Sequence, residues 1–381
     1  MALTQKEINC RSCGKKIRNV PLLAFEDMPA IAQNLPDFPE NGESIDFNVC
    51  QCEYCGLIQL DSAPVPYFRE VIRAAAVSPE MREFRLKQFG EFLRRNSLTG
   101  KKVLECGCGG GEFLELMKLA GAEIYGIEFG ENNLLKCRKN SFNVEKCFFE
   151  KGDEMLAAAP FDGFFILNYL EHIPDITAYL NGIRNNLADG AIGLIEVPNF
   201  DMMLENSTFA EFTSDHLYYF TSASLRTLLE NNGFEVISEN SVWYGYILSF
   251  EVRKRVTADL SKFNAAKADL TGKLQELVIR CGKERTAVWG ASHQAFAVLA
   301  LAELHGKIRC IIDSAKFKQG KFSPATDIPI VSPESIAPGE LDLLIVIAGG
   351  YSEEVAKIAR EKFGNELGIY ILRENRLERM P

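Results

Sequence analysis

Three groups of residues in this chain have types and spacings that chemistry could use. The first is Glu105-Cys-Gly-Cys-Gly-Gly-Gly111, a glycine run led by an acid. Glycines there permit positive φ and leave no Cβ to hold a ligand away from the backbone. A strand pattern precedes the run and a helix pattern follows it, which is the context a cofactor-binding turn requires. Glu128 closes the next strand pattern, 17 residues beyond Gly111, where a carboxylate can accept both hydroxyls of a ribose. A dinucleotide fingerprint places its third glycine three residues after the second, whereas here Gly111 follows Gly109 by two. The leading acid would repel a pyrophosphate but can orient the cationic amino-acid end of S-adenosylmethionine. The expected donor site assigns Glu105, Gly107, Gly109 and Gly111 to the methionine half and Glu128 to the ribose. Phe113 opens the following helix beside it, Phe149 after the third strand borders adenine, and Asn168 after the fourth faces the methyl.

The second group is Cys10-Arg-Ser-Cys13 and Cys52-Glu-Tyr-Cys55, two C-x-x-C knuckles with 38 residues between them. Four thiolates so spaced suit tetrahedral zinc, and with every position filled by protein the ion would be structural. Gly14 and Gly56, directly after each knuckle, let backbone amides turn toward sulfur. Cys50 is a spare thiol. The third group is the histidines, of which the chain has 4. His172 follows the fourth strand in Asn168-Tyr-Leu-Glu-His-Ile-Pro174, and His216 lies in Phe212-Thr-Ser-Asp-His-Leu-Tyr-Tyr-Phe220 after the fifth. Both fall at the carboxyl edge where open α/β sheets bind ligands, so both can reach one cleft. An imidazole titrating near neutrality suits proton transfer.

Parallel strands must position these groups. Between Lys101 and about Arg255, short apolar runs alternate with amphipathic stretches: Val103, Ile124–Ile127, Phe164–Leu167 and Ile192–Val197 as strands, with helical patterns between them. That alternation predicts a parallel sheet with helices on both faces. The segments from Val236 and from Tyr246 to Val252 are close enough in sequence to pair antiparallel. A charged helical connector runs to Lys283, and Thr286–Gly290, Ile308–Asp313 and Leu341–Ile347 then announce a second α/β sheet. The expected domains are a zinc-binding segment at 1–65, a class I methyltransferase sheet at 66–255, a connector at 256–283 and a Rossmann-like domain at 284–381. Gly290-Ala-Ser292 with Asp313 imitates half of a dinucleotide fingerprint, read here as packing or as a contact to substrate nucleotide.

Composition limits the partners. Apolar residues make up 47% and charged residues 25% of 381, with no run of the roughly 20 apolar residues a membrane helix needs. A polar start with no leader pattern points to the cytoplasm. The net charge of −10 disfavours nucleic acid and favours a small-molecule substrate. The cysteine-bearing segment is itself acidic, with five Lys or Arg against nine acids over residues 1–62, unlike a phosphate-binding ribbon.

Cys10-x-x-Cys13, Cys52-Glu-Tyr-Cys-Gly-Leu-Ile-Gln-Leu60, Val103 to Gly111, His172-Ile-Pro174, Asp215-His-Leu-Tyr-Tyr219, Gly290-Ala-Ser292, Asp313, Lys318-Gln-Gly320 and Ile328-Pro-Ile330 occur in this order. Over nearly the whole chain this resembles the three-part sugar C-methyltransferases of bacterial deoxysugar biosynthesis. The resemblance implies a nucleotide-linked 4-keto sugar as substrate. It further implies that the histidine matching His216 removes the proton beside the ketone, with Asp215 orienting it and His172 nearby. Thr213 stands where the family has tyrosine, Asp215 where it has glutamate, and Arg73-Ala-Ala-Ala76 where it has a tyrosine followed by serines. Two other functions stay open: methylation of oxygen or nitrogen on another saccharide or small metabolite, and a zinc-ribbon binding module without catalysis.

Overall fold

The computed structural model describes residues 8–17, 21–33, 42–71 and 77–381, so Arg73-Ala-Ala-Ala76 lies outside the described residues. The chain divides into two compact units, Met1–Val256 and Thr257–Pro381.

The first unit opens with β1 (Ile8–Asn9) and β2 (Lys16–Ile17), a small antiparallel pair around the first knuckle. β3 (Leu23–Pro29), β4 (Ser44–Gln51) and β5 (Ile58–Leu60) follow as an antiparallel sheet. α1 (Pro79–Arg95) starts where the Ser78 side chain accepts from the Met81 amide and Pro79 fills a position with no hydrogen-bond duty. Next come β6 (Lys102–Cys106), α2 (Glu112–Leu119), β7 (Glu123–Glu128), α3 (Glu131–Lys139), β8 (Asn143–Lys146), β9 (Phe161–Leu167), α4 (Ile176–Asn185) and β10 (Leu187–Pro198). α5 (Phe200–Asn206), β11 (Tyr218–Tyr219), α6 (Ser222–Asn231), β12 (Phe234–Val242) and β13 (Ile247–Lys254) complete the unit.

Seven strands form the main sheet in the order β12-β13-β10-β9-β6-β7-β8. The five from β10 to β8 run parallel, and β13 joins antiparallel to both β10 and β12, as the short connection between the last two segments predicts. A parallel strand covered on both faces must be apolar throughout. In β9, Phe164 and Ile166 enter the core shared with α4 and α6, while Phe165 enters the opposite core with Phe89 of α1 and Leu114 of α2. Each phenylalanine so withdrawn from water contributes about 1.5–3 kcal/mol.

Among the described residues, the buried side chains of the cysteine-bearing segment pack into cores shared with the rest of the unit. Cys10, Ile17, Cys50, Cys52 and Leu57 belong to the same buried cluster as Leu170, Tyr179 and Phe220 of the main sheet's surroundings. β11 pairs with β5, giving the sheet order β11-β5-β4-β3. Strand pairing thus joins the segment after His216 to the N-terminal sheet.

α1 is tied to the main sheet by a buried ion pair. The Arg85 guanidinium lies 2.5 Å from Glu196 on β10, their side chains 2% and 0% exposed, and Ser249 on β13 donates to the same carboxylate at 2.9 Å. Glu196→Ala would leave Arg85 buried without its counter-charge, and the expected loss is about 3–5 kcal/mol of unfolding free energy. Denaturant midpoints of the two proteins measure it.

The second unit begins with α7 (Ser261–Cys281) and alternates β14 (Thr286–Trp289), α8 (His293–Leu301), β15 (Cys310–Ile312), β16 (Ile330–Val331), β17 (Leu343–Val346), α9 (Ser352–Phe363), β18 (Gly368–Arg373) and β19 (Arg376–Arg379). The order β16-β15-β14-β17-β18-β19 is parallel except for β19. At its glycine turn, a Cβ on Gly290 would stand 2.2 Å from the Ile347 carbonyl oxygen. The Asp313 carboxylate accepts from the Ala291 amide at 2.8 Å and pairs with Lys318 at 3.1 Å, so both residues serve the packing of the turn. Among the described residues no helix is long and apolar enough to cross a membrane.

Candidate active site

The glycine run lies between β6 and α2, as its context requires. Gly107, Gly109 and Gly111 have φ of +77°, +53° and +87°, values an L side chain adopts only at a cost. Gly109 has open space where a Cβ would project, whereas at Gly107 a Cβ would stand 2.7 Å from the Tyr169 ring. The run forms one wall of a cavity of about 740 Å³. Phe113, Leu167, Asn168, Tyr169, Met81 and Trp243 line other parts of it. Asn168 holds a left-handed φ of 47° at the end of β9, a conformation asparagine tolerates better than most residues.

Glu105 is buried at the end of β6. Glu128 ends β7 and accepts from the amides of Gly109 and Gly130, each at 2.8 Å. Burial raises its carboxyl above the ordinary range, and those two amides act against the rise. Glu105 and Glu128 thus stand at the carboxyl ends of β6 and β7, and neither is among the residues that line the cavity. Phe149 is elsewhere. It is 1% exposed, sits edge-on to Tyr179 at 5.5 Å and fills the space above Gly182, so it belongs to the core and not to the cavity wall. The half-buried aromatics at this edge are Phe129 and Phe148, with the Arg69 guanidinium 5.6 Å from each ring centre.

The four knuckle cysteines converge, with one sulfur from each within 4.8 Å of the others. Cys10 and Cys55 are 3.5 Å apart, and Cys13 and Cys52 are 3.7 Å apart. Zinc–sulfur bonds of about 2.3 Å put tetrahedral sulfurs about 3.8 Å apart, so the cluster is already close to the size zinc needs. The two knuckles fold alike: Gly14 and Gly56 donate to the carbonyls of Cys10 and Cys52 at 2.8 and 2.9 Å. Burial pushes the Cys52 thiol upward, but amides of Cys55 and Tyr54 and neighbouring thiols outweigh it, and the net shift is downward. Those amides favour a thiolate.

His172 and His216 come together, their ring centres 4.8 Å apart and nearly perpendicular. Two hydrogen bonds clamp their segments: the Leu217 amide donates to the Glu171 carbonyl at 2.9 Å, and His172 Nδ1 meets the Asp215 carbonyl at 2.8 Å. Burial lowers both imidazoles, His216 to about 3. The sequence-based role for Asp215 needs correction. Its carboxylate accepts from the Tyr67 hydroxyl at 2.7 Å and the Ala32 amide at 3.2 Å, so it anchors the N-terminal segment instead of orienting an imidazole. Nor do the histidines line the donor cavity among the described residues. They stand behind Tyr169, whose ring centre is 6.4 Å from that of His172.

Sequence reasoning passed over Tyr67, Trp243 and Glu171. Trp243 had no signal beyond its place between two strand segments, and Tyr67 meets Asp215 only through the tertiary fold. Glu171 stood beside His172 in the quoted motif, and its burial, which raises its carboxyl to about 8, came from the fold.

Comparison with known proteins gives two domain matches. Residues 80–239 match a methyltransferase domain, and residues 249–372 match a C-methyltransferase C-terminal domain. The C-methyltransferase NovU of Streptomyces niveus is 29% identical over 398 aligned positions, covering 93% of each chain. A ubiquinone biosynthesis O-methyltransferase of Dinoroseobacter shibae is 26% identical over 170, covering 41% of this chain and 68% of its own. A solved S-adenosylmethionine-dependent methyltransferase from Clostridium acetobutylicum is 10% identical with a TM-score of 0.37, covering 45% of this chain and 92% of that one. With these two domain matches and the NovU relative, the chain is an S-adenosylmethionine-dependent methyltransferase.

Proposed function

We propose that this enzyme methylates carbon in a nucleotide-linked keto-deoxysugar, with His172 and His216 assisting formation of the enolate. The observation that carries the reading is the clamped imidazole pair at the carboxyl end of β9, one turn beyond Asn168 on the cavity wall. The match of residues 249–372 to a C-methyltransferase C-terminal domain supports carbon as the acceptor, and the sugar rests on the motif resemblance. When bound, S-adenosylmethionine supplies an electrophilic methyl. Glu105 and the glycine amides would hold its amino-acid end, Glu128 its ribose, and Asn168 would stand nearest the methyl. Zinc held by Cys10, Cys13, Cys52 and Cys55 would be structural, fixing the N-terminal sheet to which β11 is joined.

The test is incubation with S-adenosylmethionine and a panel of 4-keto-6-deoxy nucleotide hexoses in deuterated water. The expected result is methyl incorporation, with deuterium exchange beside the ketone when the cofactor is withheld. Absence of both across the panel overturns the reading. Methylation of oxygen or nitrogen is favoured by one observation, the placement of the imidazoles behind Tyr169. His216→Ala separates the two: it should abolish carbon methylation but only slow transfer to a hydroxyl or amine, which needs less activation.

A further inference from the structure

S-adenosylmethionine ends in adenine, a flat aromatic base joined to the ribose, so a chain that holds the ribose at Glu128 must offer the base flat faces just beyond it. β7 and β8 run parallel with Glu128 opposite Lys146. Phe129 directly follows the first of these and Phe148 lies two residues past the second, so both rings reach the carboxyl edge of the sheet beside the ribose acid. Both are half-buried, whereas Phe149 is withdrawn into the core. Aromatics left half-covered at the carboxyl edge of an open α/β sheet mark the place such sheets keep for a ligand.

A cation stands among them. The Arg69 guanidinium lies 4.5 Å from the ring centre of Phe68 and 5.6 Å from those of Phe129 and Phe148, and Phe68 meets Phe148 edge-on at 5.6 Å. The backbone of Arg69 is held, because the Tyr169 hydroxyl donates to its carbonyl at 3.3 Å. Its side chain is held less firmly: it is 30% exposed and pairs with Glu150, 62% exposed, an ion pair of the weak surface kind. Lys146 also approaches Phe129, at 5.4 Å, but its ammonium is paired with Glu131 and has no flat face. A guanidinium is planar and weakly hydrated and lies face to face with aromatic rings and bases, which an ammonium cannot do. Arg69 stands outside residues 80–239, the span matched to a methyltransferase domain, and comes to the sheet edge from the segment that follows β5.

We propose that Arg69 is a cofactor-binding residue that stacks its guanidinium on the adenine of S-adenosylmethionine, against the rings of Phe129 and Phe148. The inference deepens the donor-site reading and rests on it in one respect, the placing of the ribose at Glu128. Because the contact is to the base, it is the same for S-adenosylmethionine and for its demethylated product, S-adenosylhomocysteine. A purely electrostatic role would treat the two differently, since only the donor carries a sulfonium charge that a nearby cation repels.

Calorimetric titration of the full-length protein with each of the two ligands tests this. Arg69→Ala should weaken both by the same factor, about 5- to 20-fold, the scale of one lost stacking contact. Arg69→Lys should lose nearly as much, because it keeps the charge without the plane. Unchanged affinity in Arg69→Ala, full rescue by lysine, or a loss for one ligand only would each overturn the proposal. A second measurement needs no variant: in the wild-type protein, nuclear Overhauser effects should connect the adenine H2 and H8 protons of bound S-adenosylhomocysteine to the Arg69 side chain and to the rings of Phe129 and Phe148. Their absence from Arg69 overturns it as well. Glu128→Gln tells two failures apart. If it weakens binding while the Arg69 variants do not, the clamp is wrong and the ribose site stands; if neither weakens binding, both fall.

Discussion

Cys52→Ser should release the metal and lower the stability of the first unit by at least about 4 kcal/mol, the scale on which loss of a structural metal acts. The size follows from how the segment is built. Several of its buried residues, Ile17 and Leu57 among them, belong to the core around Leu170 and Phe220, so a failed knuckle exposes core that the main sheet relies on. The effect should therefore spread. The Leu60 amide donates to the Leu217 carbonyl at 3.1 Å, and His216 is the residue just before Leu217. Deuterium exchange at the acceptor should fall with metal content. Cys50→Ser is the control: Cys50 is fully buried but outside the four-thiol cluster, so that variant should lose some stability and keep its zinc. Atomic emission and thermal unfolding of both variants decide the matter, and equal metal content in the two would contradict it.

Gly107→Ala should weaken S-adenosylmethionine binding by about 10- to 100-fold, equivalent to about 1.4–2.8 kcal/mol. Two costs combine. Alanine at φ +77° sits in the left-handed region, which costs about 1–2 kcal/mol. Its methyl would also press on Tyr169, a buried ring that packs on Tyr179 and neighbours His172 and so has little room to retreat. Gly109→Ala meets open space and carries only the backbone cost, so it should be milder for the protein's own packing. Calorimetric Kd values for the two variants separate backbone strain from the clash. Equal losses would mean that Tyr169 yields freely.

The glycine turn was legible in the sequence because its signals are local. The glycine run, the strand before it and the acid closing the next strand are set by residues close together in the chain, and the structure places Gly107, Gly109, Phe113 and Asn168 on one cavity. The antiparallel pairing of β12 with β13 was legible for the same reason. Phe149 was misjudged because residues 148 and 149 differ in burial: both rings lie beside Tyr179, but Phe148 stays half-buried while Phe149 is buried against Gly182. No periodicity resolves a single residue after a strand. Asp215 shows a different limit. Adjacency to His216 suggested a partnership, yet the backbone turns the carboxylate toward Tyr67 and offers its carbonyl to His172 instead.

The pairing of β5 with β11 bears on how this molecule comes to be folded at all. Ile58 opposes Tyr219, so the N-terminal sheet lacks its last strand until the chain has been synthesised far beyond the glycine run. Contacts that span so much sequence form slowly, because a long loop must be closed before any of them is rewarded. The knuckles emerge from the ribosome before β11 but are finished late, with apolar residues such as Leu57 and Leu60 awaiting cover. Early metal capture would hold that waiting segment in shape. An ion held by the four cysteines would then also guard the least protected stage of folding against aggregation.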